Sequence, residues 1–161
     1  MFKLYARFIK EKIVKKNTDF ENLTVEEYTT PSPIFVKADA SITTVMKEMQ
    51  KREIRHLPVV NGEGMAIGVI SERDLASVST FAFKADLKAE DVMTPDPITV
   101  NYHASLLDSA FLMAENKIGS LIVNNDEGNI YGIFTSTDAI NALIEVLRGD
   151  VGEDIPHIHD Y

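Results

Sequence analysis

The sequence predicts an α+β fold made of two tandem copies of one β-α-β-β-α unit, and three observations carry that expectation. Shifting the chain by 64 residues lays positions 23–75 on 87–139 without a gap, with 18 of the 53 pairs identical. Similarity at a fixed offset is the signature of a repeat architecture. Each copy places apolar residues at helical spacing behind a serine, and each then shows two β-prone runs around a polar, glycine-containing turn. The matches fall where turns and helix ends need them. Thr30-Pro31-Ser32-Pro33 lies on Thr94-Pro95-Asp96-Pro97. Asn61, Glu63 and Gly64 lie on Asn125, Glu127 and Gly128, and Gly68 and Asp74 lie on Gly132 and Asp138.

In chain order, residues 1–22 read as a basic amphipathic helix and a linker. Phe2, Tyr5, Ala6, Ile9 and Ile13 share one face of a helix over 2–16, and lysines hold much of the rest. That face suits packing within a homodimer or on the chain's own body, and contact with a membrane surface is the alternative. Residues 23–79 form the first unit. A short strand over 33–36 follows a proline turn. Ser41 then caps a helix in which Ile42, Val45, Met46 and Met49 recur at i, i+3, i+4 and i+7. Runs 56–60 and 65–70, joined by Asn61-Gly62-Glu63-Gly64, form a hairpin, and a second helix starts near Glu72. Residues 80–86 link the units, with Phe81 and Phe83 expected to pack down. The second unit, 87–148, repeats the pattern: a strand over 97–100, Ser105 capping a helix with Leu106, Ala110 and Met113, and a hairpin of 121–124 and 130–134. Its last helix runs from near Ser136 through Ile140, Leu143, Ile144 and Leu147 to a glycine stop at Gly149. Residues 149–161 are a tail. Three strands and two helices leave one sheet face open, so the two copies are expected to pack face to face.

Composition narrows the function. The 161-residue chain has no cysteine. That excludes disulfides, thiolate metal sites and a cysteine nucleophile, and suits a reducing cytoplasm. Neither a secretory signal nor an apolar run of membrane-spanning length is present, so a cytoplasmic location is expected. Residues 1–16 carry six basic side chains against Glu11, a net of +5; the whole chain carries −9, which leaves −14 on the rest. An acidic body argues against nucleic-acid binding, so any bound anion must be held by local groups. The chain has no Walker-type loop, no H-E-x-x-H and no G-x-S-x-G. It is therefore not expected to be an enzyme. His157-Ile158-His159 beside Asp160 has the spacing to chelate a metal, but a proline-containing chain end is more often disordered. Neither a metal nor a required cofactor is expected.

The same string follows the last strand of each unit: Gly68-Val69-Ile70-Ser71-Glu72-Arg73-Asp74 and Gly132-Ile133-Phe134-Thr135-Ser136-Thr137-Asp138. Both read glycine, apolar, any, serine or threonine, two residues, aspartate. The glycine admits another backbone or a ligand close to the strand. The hydroxyl stands at a helix N-terminus, where free N–H groups favour an anion. The aspartate, one turn on, can accept from a pair of hydroxyls such as a ribose diol. S/T-x-x-D is also a helix capping box that needs no ligand. Two occurrences in register favour the ligand reading.

The repeat length, the element order, the Thr-Pro-x-Pro openings, Arg55-His56-Leu57-Pro58-Val59-Val60 and both strings together resemble CBS domains, here a tandem pair or Bateman module. The resemblance covers residues 23–147 and implies repeats packed through their sheets about a pseudo-two-fold axis. It also implies two clefts for AMP, ADP, ATP or S-adenosylmethionine, homodimerisation, and a regulatory role read out by a partner protein. By motif position, Ser71 and Asp74 would serve one cleft and Thr135 and Asp138 the other, with Thr30 and Thr94 lining the place where the base enters. Arg55 and His56, ahead of Pro58, are positioned to reach phosphate in the first unit; each also fits an ordinary surface or strand-edge role. Arg73 fits a helix surface as well as a ligand. The second unit has Gly119 and Ser120 at the Arg55 and His56 positions and Ile122 at that of Pro58. The resemblance therefore points to the first cleft as the phosphate site.

Overall fold

The computed structural model describes residues 22–31, 34–82 and 86–148, with side chains of 79–82 excepted. The expected helix over 2–16, the Phe81 and Phe83 side chains and the tail with its His-x-His pair lie outside the described residues. A 3-10 turn, Val25–Tyr28, comes first, followed by strands β1 (Thr30–Pro31) and β2 (Val36–Lys37). Helix α1 (Ile42–Lys51), strands β3 (His56–Val60) and β4 (Ala66–Ser71) and helix α2 (Glu72–Ala82) complete the first repeat. The second repeat runs through α3 (Ala89–Val92), β5 (Thr94–Pro95), β6 (Thr99–Asn101), α4 (Leu106–Asn116), β7 (Ser120–Asn124), β8 (Ile130–Thr135) and α5 (Ser136–Arg148).

Local chemistry accounts for these elements twice over. Ser41 Oγ accepts from the Thr44 N–H at 3.2 Å, and Ser105 Oγ accepts from the Asp108 N–H at 3.3 Å, so both predicted N-caps are formed. Asn61 Oδ1 accepts from two backbone N–H groups in its hairpin, and Asn125 Oδ1 does the same in the other. Gly64 and Gly128 close these turns at φ +83° and +81°, where a side chain would be strained. Each hairpin bulges at the same place, between Val59 and Val60 and between Val123 and Asn124. The strands expected over 33–36 and 97–100 start later, at Val36 and Thr99. Proline has no N–H for a ladder, and parallel pairing with β3 and β7 begins only beyond it.

The sequence repeats are not the spatial units. One four-stranded sheet runs β2-β3-β4-β5 and the other β1-β8-β7-β6. The opening strand of each repeat therefore crosses to the other repeat's sheet. Thr30 pairs with Ile133 and Pro31 with Gly132, while Thr94 pairs with Val69 and Pro95 with Gly68. The turns before these strands cross as well. The Val25 N–H donates to Ala104 O and the Ala89 N–H to Ala40 O, both at 2.8 Å. As a result Ala89 is buried in the core of Ile42, Val45, Leu57, Val59 and Ile70. Leu23 and Val25 are buried in the core of Leu106, Leu121, Val123 and Phe134. Each core is closed by ten or so residues lent by the other repeat, and two such loans hold the repeats together through backbone hydrogen bonds as well as apolar contact. No helix among the described residues is long and apolar enough to cross a membrane.

Candidate functional site

Each Gly-to-Asp string sits where a crossing strand meets the sheet. Gly68 and Gly132 are buried in β4 and β8. A Cβ at Gly132 would collide with the Thr29 methyl group and stand 2.5 Å from the Thr30 carbonyl oxygen; one at Gly68 would collide with the Met93 side chain. Of the two occupants glycine admits, a ligand or a backbone, the structure shows the other repeat's chain. Thr30 and Thr94 are exposed on these crossing strands. Thr30 stands two residues along the ladder from Thr135, and Thr94 two from Ser71. Each motif therefore shares its edge with the opening threonine of the opposite repeat.

The hydroxyl and carboxylate of each motif are bonded to one another. Ser71 donates to Asp74 Oδ2 from its hydroxyl at 2.6 Å and from its N–H at 2.8 Å, and the Asp74 N–H returns to Ser71 Oγ at 3.4 Å. Thr135 and Asp138 repeat this at 2.7, 2.7 and 3.5 Å. This is the capping geometry in full. It engages Oδ2 alone. Neither Asp74 Oδ1 nor Asp138 Oδ1 forms a hydrogen bond within the described residues, and both aspartates are only half-buried. A carboxylate offers about four acceptor sites, so the cap fixes the side chain and leaves acceptor sites for a further donor.

Of the remaining predicted residues, Arg55 and His56 meet the other repeat, while Pro58 and Arg73 do not. Arg55 reaches across to the other repeat. Its Nη2 donates to Thr137 Oγ1 at 3.0 Å, in the first turn of α5. The cation expected beside Ser71 and Asp74 thus bonds the first turn of the helix that carries Asp138. His56 pairs with Ser71 in the ladder, and a Cβ on Gly119 would lie 2.9 Å from its Nε2. Glycine at 119 makes room for this imidazole. Arg73 is exposed on α2, at the position equivalent to Thr137. Pro58 is fully buried in mid-sheet. Its effect is on the backbone: the Ile122 N–H donates to Ile98 O at 3.1 Å, whereas Pro58 has no N–H to offer Ile34. Thr137, Gly119 and the Ile34 carbonyl are site features that sequence reasoning missed. The exchange of residue types at 55/119 and 73/137 was their visible trace. A groove of about 470 Å³ between α1 and α2 takes in Arg55, Glu72 and Leu75 but neither Ser71 nor Asp74, so it is separate from the motif edge. Among the described residues no cluster of three or more histidines and carboxylates is placed to hold a metal ion.

Burial is the main cause holding the His56 pKa below its ordinary value; the neighbouring Arg55 guanidinium adds to this and Asp74 opposes it. At neutral pH the imidazole is therefore uncharged. An unfolded histidine protonates near 6.5 and folded His56 only at lower pH. Between those values the unfolded chain binds more protons, so stability falls as pH drops below about 6.5, by at most ~1.4 kcal/mol per pH unit. Above that pH the contribution is constant. Urea midpoints from pH 5 to 8 should show this slope in the native chain and lose it in His56→Gln.

Exchanged opening strands, paired sheets and a duplicated hydroxyl–carboxylate edge define a tandem-repeat module built around two equivalent junctions. The chain matches the CBS domain over residues 25–80 and 89–145. It belongs to the CBS-domain family, as a tandem pair or Bateman module. It is 31% identical over 145 residues to the Methanocaldococcus jannaschii protein MJ1426, covering 70% of this chain and 86% of that one. It is 35% identical over 126 residues to a homoserine O-acetyltransferase of Methanocorpusculum labreanum, covering 78% of this chain but 25% of the enzyme. The chain thus spans about a quarter of the length of that relative. Among solved structures it resembles CBSX2 in complex with AMP, with a TM-score of 0.68, 26% identity, and coverage of 78% of this chain and 98% of that one; CBSX2 is from Arabidopsis thaliana. It also resembles the CBS domain pair of protein MJ0100 in complex with 5′-methylthioadenosine and S-adenosyl-L-methionine, with a TM-score of 0.67, 29% identity, and coverage of 76% and 99%.

Proposed function

We propose that this chain is a regulatory module that binds an adenosine compound at the edges of its two motifs and performs no chemistry itself. AMP, ADP, ATP and S-adenosylmethionine are the candidate ligands. The observation that carries this reading is the pair of aspartates, Asp74 and Asp138, each fixed through one carboxylate oxygen with the other unbonded among the described residues. An open oxygen on a pre-oriented carboxylate is suited to the two hydroxyls of a ribose. Arg55 at the start of α5 supplies a cation for a phosphate at the second junction. At the first junction the Ile34 carbonyl, deprived of a strand donor by Pro58, is suited to an amino group such as that of adenine. The solved neighbours carrying AMP, or 5′-methylthioadenosine and S-adenosyl-L-methionine, support the ligand class. On this reading the units are residues 23–79 and 87–148, and a ligand acts by favouring one angle between them, which a partner protein senses. A ligand shifts such an equilibrium only through unequal affinity for the two states.

A second reading has its own support. The complete capping bonds are what a ligand-free interaction scaffold would also show. Thermal unfolding with each candidate ligand separates the two. At 100 times Kd the sensor gains about 2.7 kcal/mol of stability. A melting temperature unmoved by the whole series of adenosine compounds would leave the scaffold standing.

A further inference from the structure

The turn between β3 and β4 opens on Asn61-Gly62. Asn61 folds its side chain back over the turn, where Oδ1 accepts from the Glu63 N–H and the Met65 N–H, both at 3.0 Å. A carboxamide bonded to the backbone two residues on mimics a backbone turn around the intervening peptide, so Cγ is held beside the Gly62 nitrogen. Gly62 is exposed, a Cβ there would meet nothing within 4 Å, and among the described residues its N–H donates to no acceptor. Two N–H groups on one carbonyl oxygen are also the arrangement that stabilises the oxyanion of a tetrahedral intermediate. Attack of the Gly62 nitrogen on Cγ develops its negative charge on Oδ1, where both donors already point.

The second repeat carries the same donors without the same nucleophile. Asn125 Oδ1 accepts from the Glu127 N–H at 3.1 Å and the Asn129 N–H at 2.9 Å. The residue that follows is Asp126, whose Cβ crowds its own nitrogen and whose carboxylate opposes loss of the N–H proton. Asn101 Nδ2 at 3.0 Å and the Tyr102 hydroxyl at 3.2 Å hold that carboxylate in place. Only the first hairpin combines the oxyanion donors with an unhindered backbone nitrogen.

We propose that Asn61 is a self-modification site, converted through a cyclic imide to aspartate and isoaspartate by the Gly62 nitrogen. The Gly62 N–H proton passes to solvent base, the N–Cγ bond forms, the Cγ–Nδ2 bond breaks, and ammonia departs with a proton from solvent. Water then opens the imide. Cleavage at Cγ leaves aspartate; cleavage at the Asn61 main-chain carbonyl leaves isoaspartate, whose backbone runs through the side chain and is one carbon longer. The net change is gain of water and loss of ammonia. Aspartate keeps both Oδ1 bonds. Isoaspartate lengthens the turn that the Asn61 N–H closes on Met65 O at 3.0 Å and the Gly64 N–H on Asn61 O at 3.1 Å, and so loosens the tip of β3 and β4.

The full-length chain, incubated in mildly alkaline buffer, should gain about 1 Da. Fragment mapping should place the change at residue 61, about tenfold faster than at Asn125, which corresponds to a barrier lower by about 1.4 kcal/mol. Gly62→Ala should slow the gain at 61 about tenfold for the same reason, and Asn61→Asp should remove it. Isoaspartate at 61 should be recognised by a protein isoaspartyl methyltransferase, which Asn61→Asp should leave unlabelled. Equal rates at Asn61 and Asn125, an undiminished rate in Gly62→Ala, or no conversion at 61 would each overturn the proposal.

Discussion

Gly132→Ala should destabilise the chain by about 1–3 kcal/mol, the range for forcing an extra group into a packed site. Gly68→Ala, at the equivalent position, should cost clearly less. The added methyl group at 132 would press on the Thr29 side chain and on the Thr30 carbonyl of β1. A backbone held by ladder pairs at Thr30 and Pro31 cannot move alone. Displacing it pulls residues 22–31 away from the second core, where Leu23 and Val25 are buried. At 68 the obstacle is the Met93 side chain, which can take another rotamer. Gly62→Ala, whose added carbon meets nothing within 4 Å, provides the reference. Urea unfolding midpoints rank the three. Equal losses at 132 and 62 would mean that β1 does not lie against β8.

The second large effect concerns the carboxylates. Asp74→Ala and Asp138→Ala should each abolish most of the nucleotide-dependent stabilisation at their own junction. Each charge-assisted hydrogen bond lost is worth roughly 1.5–3 kcal/mol, or about 10–100-fold in affinity. Both variants also lose a cap, which costs about 1 kcal/mol whether or not a ligand binds. Asp74→Asn and Asp138→Asn separate the terms. An amide oxygen still accepts from the Ser71 or Thr135 N–H, so the helix start survives while the charge is gone. Measured by calorimetric titration with AMP, the Asn variants should bind more weakly at nearly native stability. If the four variants change stability alone and leave any nucleotide response untouched, the motifs are caps and nothing more.

How far the sequence could be read follows the range of the interactions. Ser41 and Ser105 cap helices through bonds three residues long, and Asn61 and Asn125 organise turns of four. Such elements were legible because their causes lie side by side in the chain. Duplication made them more so: Glu53 and Lys117, 64 residues apart, even share the left-handed conformation after their helices. The strand exchange was hidden. Thr30 pairs with Ile133 and Thr94 with Val69, and a two-residue strand carries no pattern that names its partner. Gly68 and Gly132 signalled a close approach without saying by what. Arg55 illustrates the same limit in the site. Its neighbours in sequence are His56 and Pro58, yet its guanidinium bonds Thr137, 82 residues away. Motif position put Ser71, Asp74, Thr135 and Asp138 at two equivalent strand ends; only the fold decided that Arg55 bonds the helix of the other repeat.

Backbone amide shifts of the isotope-labelled chain, followed through an AMP titration, examine the proposed adenosine sites residue by residue. The N–H groups of Ser71, Asp74, Thr135 and Asp138, together with those of Thr30 and Thr94 on the crossing strands, should move and saturate while the hairpin tips at Gly62 and Asp126 stay still. Titrations with AMP, ATP and S-adenosylmethionine that all leave those six amides unmoved would show that neither junction takes a nucleotide.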